Sequence, residues 1–260
     1  MQLPLYQIDA FTDSVFSGNP AAICPLDAWL DDTVMQAIAA ENNLSETAFF
    51  VKEGEGYRLR WFTPACEVDL CGHATLATAS LLLTRLTPEA EAVTFETQSG
   101  RLTVRRDGDL LVMDFPSRPA TPAEPDDGLF EALGAAPREV LSTSGNALLV
   151  YADEDDVLRL RPDMSGLKKA TSQGVIATAS GTECDFVSRY FAPSHGIDED
   201  PVTGSAHCTL VPYWAARLGK TDLVARQVSA RGGTLYCRAE GNRVRIAGRA
   251  AFYLKGEITI

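Results

Sequence analysis

The chain has 260 residues, 45% of them apolar, which is enough to build packed cores in one large or two ordinary domains. A net charge of −12 without a basic stripe excludes a nucleic-acid binder, which needs Lys and Arg to neutralise phosphates. No segment reaches the roughly eighteen apolar residues of a membrane span, and the start, Met1 to Asp9, lacks a basic stretch followed by a long apolar run, so a soluble cytoplasmic protein is expected, without membrane partners.

In chain order, Tyr6 to Phe11 reads as a strand, followed by a turn through Ser17-Gly18-Asn19-Pro20 and a short strand from Ala21 to Cys24. Asp31 stands where an N-cap is needed, and Val34, Ile38 and Ala39 give an amphipathic helix ending near Asn42-Asn43. Strands follow at Thr47 to Val51 and Tyr57 to Phe62. From His73 to Leu83 the chain is small and apolar nearly all round, which predicts a buried helix, and Ser205 to Leu218 repeats that character. Strands are expected at 93–97, 102–106 and 110–115 behind the first helix, and at 228–230, 234–239 and 243–247 behind the second. Asp107-Gly108 and Glu240-Gly241-Asn242 supply hairpin turns. Between the halves, Pro116 to Gly128 is rich in proline and acid and reads as a linker, with a helix near Leu129 to Leu133 after it; Asp153-Glu154-Asp155-Asp156 reads as a solvated helix start.

The halves are two worn copies of one unit. Phe16-Ser17-Gly18-Asn19 returns 127 positions later as Thr143-Ser144-Gly145-Asn146, and Arg60-Trp61-Phe62-Thr63-Pro64 returns 129 later as Arg189-Tyr190-Phe191-Ala192-Pro193. Gly72 and Gly204 are 132 apart, and Gly100 and Gly233 are 133 apart. Offsets that drift slowly in one direction are the mark of a duplication. It predicts two lobes, 1–118 and 129–260, with small-molecule chemistry in a cleft between them.

Six cysteines, at 24, 66, 71, 184, 208 and 237, are too sparse for a disulfide scaffold and read as thiols. Cys66, Cys71 and His73 form the one tight Cys/His group, without a paired knuckle, so no metal is expected. Gly72 and Gly204 each open a buried helix whose start has unpaired N–H groups and the positive dipole end, suited to a substrate carboxylate. The bland reading is a tight strand-to-helix turn. His73, in the first turn, is expected neutral because the dipole lowers its pKa; it can exchange a proton or simply cap the helix. Asp200 is placed in the three residues by which the second loop exceeds the first, as an orienter of a histidine or part of an exposed acidic turn. Glu46 precedes an apolar strand, at whose edge partial desolvation would raise its pKa towards the working pH, but by its own surroundings it reads as an ordinary surface glutamate.

Three ordered motifs, Asn43-Leu44-Ser45-Glu46-Thr47-Ala48-Phe49, Cys71-Gly72-His73-Ala74-Thr75 and Glu199-Asp200-Pro201-Val202-Thr203-Gly204-Ser205-Ala206, resemble the phenazine-biosynthesis PhzF-like family of the diaminopimelate-epimerase-like superfamily. The resemblance covers nearly the whole chain. It implies an α+β fold of two pseudo-symmetric lobes, each a curved, barrel-like sheet round a central helix, and cofactor-independent proton movement next to a carboxylate. By motif position Glu46 resembles the general acid/base, while His73, Asp200 and Ser205 resemble residues that assist it and bind a small anionic substrate; a homodimer rests on the resemblance alone. Two-thiol epimerases of this superfamily resemble one another in placing a cysteine before each lobe's glycine. Here those positions hold Cys71 and Thr203, and a threonine hydroxyl is far too weak an acid for that work. An isomerase with Glu46 as base is therefore expected. A cysteine-assisted racemase using Cys71, or a cleft that binds an acidic metabolite without turnover, are the alternatives.

Overall fold

The structure, a computed structural model, describes all 260 residues. Contacts divide the chain into two compact units, Met1–Asp114 with Ala247–Ile260, and Phe115–Ile246. The expected lobes, 1–118 and 129–260, differ from these because the last segment returns to the first unit.

The first unit begins with β1 (Gln2–Ala10) and β2 (Asn19–Leu26), an antiparallel pair. Helix α1 (Asp32–Asn42) crosses to β3 (Glu46–Glu53), which lies parallel to β2. Asp31 occupies the cap position but its carboxylate makes no capping bond, and Asn43 ends the helix in the left-handed conformation. Strand β4 (Gly56–Phe62) pairs antiparallel with β3, and a two-residue strand, β5 (Glu67–Val68), folds back on it. Helix α2 (Gly72–Leu81) then crosses to β6 (Ala92–Thr97), parallel to β4, and β7 (Gly100–Asp107) and β8 (Leu110–Pro116) follow as hairpins. The C-terminal strand, Ala250–Thr259, pairs along the full length of β1.

Helix α2 determines this arrangement. Every residue from His73 to Leu81 is buried, so the helix has no solvent face and must be enclosed. It packs against β1, β2, β3 and the C-terminal strand. Its hydroxyls are satisfied within the helix: Thr75 Oγ1 donates to the Cys71 carbonyl at 2.5 Å and Thr78 Oγ1 to the Ala74 carbonyl at 2.7 Å. The expected helix to Leu83 instead widens into a π-turn over Leu82–Leu86.

The second unit repeats the plan. After β9 (Thr121–Pro122) and α3 (Leu129–Leu133), β10 (Glu139–Thr143) and β11 (Asn146–Val150) form a hairpin. Helices α4 (Glu154–Arg159) and α5 (Met164–Ala170) cross to β12 (Gly174–Ser180), parallel to β11. The acidic run does start a helix, with Asp153 capping the Asp156 N–H. Strand β13 (Phe186–Ala192), the return strand β14 (Ile197–Asp200) and helix α6 (Gly204–Leu218) lead to β15 (Asp222–Gln227), parallel to β13, and then β16 (Gly233–Glu240) and β17 (Arg243–Gly248). The strand expected at 228–230 lies instead at Asp222–Gln227, where Leu223, Ala225 and Gln227 alternate inward. No helix is long and apolar enough to cross a membrane.

Pairing registers align the two copies. Trp61 faces Val68 and Phe62 faces Glu67; Tyr190 faces Asp200 and Phe191 faces Glu199. The inserted residues thus lie upstream, at the turn Pro193–His195 and Gly196, and Asp200 is the counterpart of Val68. This corrects the expected placement of Asp200 among them. The same ion pair braces both copies. Arg60 binds Glu67 through two bonds of 2.7 Å, and Arg189 binds Glu199 through bonds of 2.7 and 2.8 Å. Arg189 also donates to the Val157 and Leu160 carbonyls, at 3.2 and 2.9 Å.

Arg189→Met removes the partner of Glu199 and of both carbonyls, and we expect it to lower the unfolding free energy by about 3 kcal/mol, read from urea titration. Arg60→Met, whose Asp32 contact is at the surface, should cost less.

Candidate active site

Glu46 is the first residue of β3, and the parallel register sets it beside Ala21, two residues beyond Asn19. The turn ahead of Asn19 is sharply constrained. Gly18 has φ +68°, and a Cβ there would strike the Ala10 carbonyl, so only glycine fits. Buried Asp9 accepts the Phe16 N–H at 3.0 Å and ties the same turn to β1. Because α2 packs on β2 and β3, its first turn brings His73 to both Asn19 and Glu46.

Glu46 is 8% exposed and His73 4%. The surface position expected for Glu46 is therefore corrected: strand pairing and the helix bury it. Glu46 Oε2 lies 3.1 Å from His73 Nε2, an ion-pair contact off the line of a hydrogen bond, and neither atom has another hydrogen-bond partner. On the other side of the ring, Asn19 Nδ2 is 3.1 Å and Cys71 Sγ 3.4 Å from His73 Nδ1. With a neutral ring, Asn19 donates to Nδ1 and the ring proton faces Glu46; with a charged ring, the Nδ1 proton faces the sulfur.

Burial disfavours the imidazolium, yet the sulfur of Cys71 and the Glu46 carboxylate outweigh it and hold His73 well above the ordinary imidazole range. Cys71 is itself kept as a thiol, pushed up to about 11 by burial and then by the Glu46 charge. The lowering of His73 expected from the helix dipole is not what its neighbours do: the Cys71 sulfur and then the Glu46 carboxylate raise it.

Glu46, Cys71 and His73 are buried together, with a potential metal-ligand atom from each within 4.8 Å of the others. The thiol and the carboxylate stand against different ring nitrogens, so the imidazole offers an ion only one of those two sides. Cys66 is exposed and takes no part in the cluster.

In the second unit, Thr203 Oγ1 donates to Asp200 Oδ2 at 2.5 Å, and both residues are buried. Ser205 is exposed in the first turn of α6, the position His73 takes in α2. Neither helix start is capped by a side chain. His207, which sequence reasoning passed over, donates from Nδ1 to the Thr203 carbonyl at 2.9 Å, and burial holds it at about 4, neutral at ordinary pH. Cys208 is buried further along the helix, and its thiol is raised to about 11 by burial. Asn19 and Gln227 were also missed as site residues. Asn19 stood within the quoted Gly18-Asn19-Pro20 motif; the only signal for Gln227 was a polar residue at an inward strand position.

The phenazine biosynthesis-like protein model matches residues 8–256. An uncharacterized isomerase of Pseudomonas aeruginosa is 56% identical, with 99% of each chain covered. The crystal structure of a phenazine biosynthesis protein of the PhzF family from Enterococcus faecalis is 48% identical, covers all of both chains and superposes with a TM-score of 0.96. The chain belongs to the phenazine biosynthesis-like family. It is an enzyme of the isomerase class, as its curated relatives are named. A predicted epimerase of Pseudomonas aeruginosa, 22% identical over 99% of each chain with a TM-score of 0.74, shares the α+β fold.

The coupling of Glu46 and His73 is measurable by NMR. The His73 Cε1–H should titrate above 6.5 in the wild type and at lower pH in Glu46→Gln. A raised imidazole pKa stabilises the fold below the ordinary value and ceases to do so as the pH rises through the folded value. Wild type should therefore lose stability relative to Glu46→Gln across that rise.

Proposed function

We propose that this isomerase moves a proton on a small carboxylate-bearing metabolite without a cofactor, with Glu46 as the base that removes and returns it. The observation that carries this reading is a buried carboxylate oxygen, Glu46 Oε2, with no hydrogen-bond partner and a histidine at 3.1 Å. An oxygen with an uncommitted lone pair is free to take a proton from a bound substrate, and the imidazole at contact distance can exchange one with it.

His73 is given the role of stabilising the Glu46 charge and of sharing the proton once it has been taken. The uncapped helix starts at Gly72 and Gly204 are assigned to negative charge, the substrate carboxylate or the enolate-like charge that develops as the proton leaves. Asp200, Thr203 and Ser205 are assigned to substrate positioning. Cys71 is assigned a packing role near the ring: a thiol at about 11 is a poor proton donor and supplies little thiolate at neutral pH.

The test is solvent deuterium incorporation into a panel of small 2-oxo, 3-enoic and 2-hydroxy acids. Label should enter at least one of them with wild type. Glu46→Gln should reduce the rate by at least about a hundred-fold while the protein stays folded, the scale of losing a general base. Unchanged labelling by that variant sinks the assignment. The cysteine-assisted racemase reading makes the opposite demand on a second variant: Cys71→Ala should keep most of the exchange if Glu46 is the base and lose it if the thiol is.

A further inference from the structure

The two helix starts share two scaffold bonds and differ in a third. Ser99 Oγ donates to the Asp69 carbonyl at 2.9 Å, and its counterpart Ser229 Oγ donates to the Pro201 carbonyl at 2.8 Å. One turn into each helix, a side chain reaches back four residues: Thr75 to the Cys71 carbonyl, His207 to the Thr203 carbonyl. These bonds fix the strand-to-helix turn in both copies. Only the second has Gln227.

Gln227 is the last residue of β15 and is 1% exposed. Its Oε1 accepts the Thr203 N–H at 2.8 Å, while Nε2 donates to the Asp200 carbonyl at 2.8 Å and to Thr203 Oγ1 at 3.1 Å. The amide orientation follows from chemistry: a backbone N–H can only donate and a carbonyl can only accept, so the oxygen must face Thr203 N and the nitrogen the Asp200 carbonyl. A hydroxyl that accepts from the amide turns its own proton elsewhere, and the acceptor it meets is Asp200 Oδ2 at 2.5 Å. By strand register, Gln227 corresponds to Thr97 of the first unit, whose hydroxyl closes its own hairpin, donating to the Gly100 carbonyl and accepting the Ser99 N–H. A buried glutamine is costly unless satisfied, and this one spends its whole amide on the two residues that distinguish the second helix start.

We propose that Gln227 is a positioning residue for Asp200 and Thr203, directing the Thr203 hydroxyl proton onto the Asp200 carboxylate so that the pair is presented to substrate as one oriented unit. This rests on the reading of Asp200 and Thr203 as substrate-positioning groups. Among the titratable side chains that bear on the pair are Tyr190, across the strand from Asp200, and His207, through the Thr203 carbonyl.

The test compares wild type with Gln227→Met, similar in shape but unable to form the bonds, and Gln227→Glu, which keeps the acceptor and loses the donor while ionised. The first readout needs no substrate: aspartate carboxyls are labelled with carbon-13, the Asp200 signal is assigned through Asp200→Asn, and its titration is followed by NMR. Loss of the oriented hydroxyl should move the Asp200 midpoint upward in both variants while His73 titrates unchanged. The second readout is deuterium exchange on whichever panel acid wild type labels. It should fall roughly ten-fold in kcat for Gln227→Met, with little change in KM, the size of one charged hydrogen bond. Gln227→Glu should recover towards wild type as acid protonates the new carboxyl. An unmoved Asp200 midpoint in either folded variant overturns the proposal. If exchange survives Glu46→Gln while the Asp200 midpoint still moves, the base assignment fails and the role of Gln227 stands.

Discussion

A helix with no solvent face imposes the architecture. From His73 to Leu81 α2 buries every side chain, and a buried helix contributes stability only when each apolar residue finds a partner and each hydroxyl a bond. Strands supply the partners, and the helix's own carbonyls take the threonine hydroxyls. Enclosure has a chemical consequence. The one titratable side chain in that buried run stands at the helix start, and the strands that cover it carry the groups facing it, Asn19 on β2 and Glu46 on β3. The carboxylate and imidazole are desolvated because the helix is, and two groups that are costly to bury apart are held against each other.

Duplication supplied the frame, and divergence the chemistry. The Arg60–Glu67 and Arg189–Glu199 pairs, and the Ser99 and Ser229 bonds to the loop carbonyls, repeat in matching registers. The reactive positions do not. Register against β4 and β13 places Gly174 where the first unit has Glu46, and a Cβ at Gly174 would collide with the Tyr190 hydroxyl, which bonds Asn146 Oδ1 at 3.0 Å. The second copy thus has no room for a carboxylate there, because a tyrosine–asparagine bond fills the space. His73 is matched by Ser205, Cys71 by Thr203 and Val68 by Asp200.

Much of the fold was legible in the sequence and much of the site was not. Both central helices showed themselves through small, apolar residues on every face, and the slow drift of repeat offsets marked the duplication. The C-terminal strand escaped notice because most of Ala250–Thr259 is partly or fully exposed, without an apolar alternation to announce it. Strand β15 was misplaced for a related reason, since one of its inward positions holds Gln227. Glu46 is the sharpest case. Its neighbours in sequence give only a weak hint of burial, the apolar strand that follows; the burial itself comes from parallel pairing with β2 and from a helix that starts twenty-six residues later. Only the family motif pointed to it.

The same long-range burial acts unequally on the carboxylate and the thiol of the first unit. Glu46 and Cys71 lie on opposite sides of one imidazole, and both are buried, but the cost falls unequally. A thiol can remain neutral and avoid desolvating a charge, and the nearby carboxylate adds repulsion against ionising it, which is why Cys71 is driven to about 11. The Cys71 sulfur and then the same carboxylate raise the His73 imidazole against the cost of its burial. Thr203 stands where the resemblance to two-thiol epimerases would put a second cysteine, and its hydroxyl is too weak an acid for that work. With a threonine at the second position and the Cys71 thiol suppressed, the surroundings of the first unit support the base proposed above, Glu46.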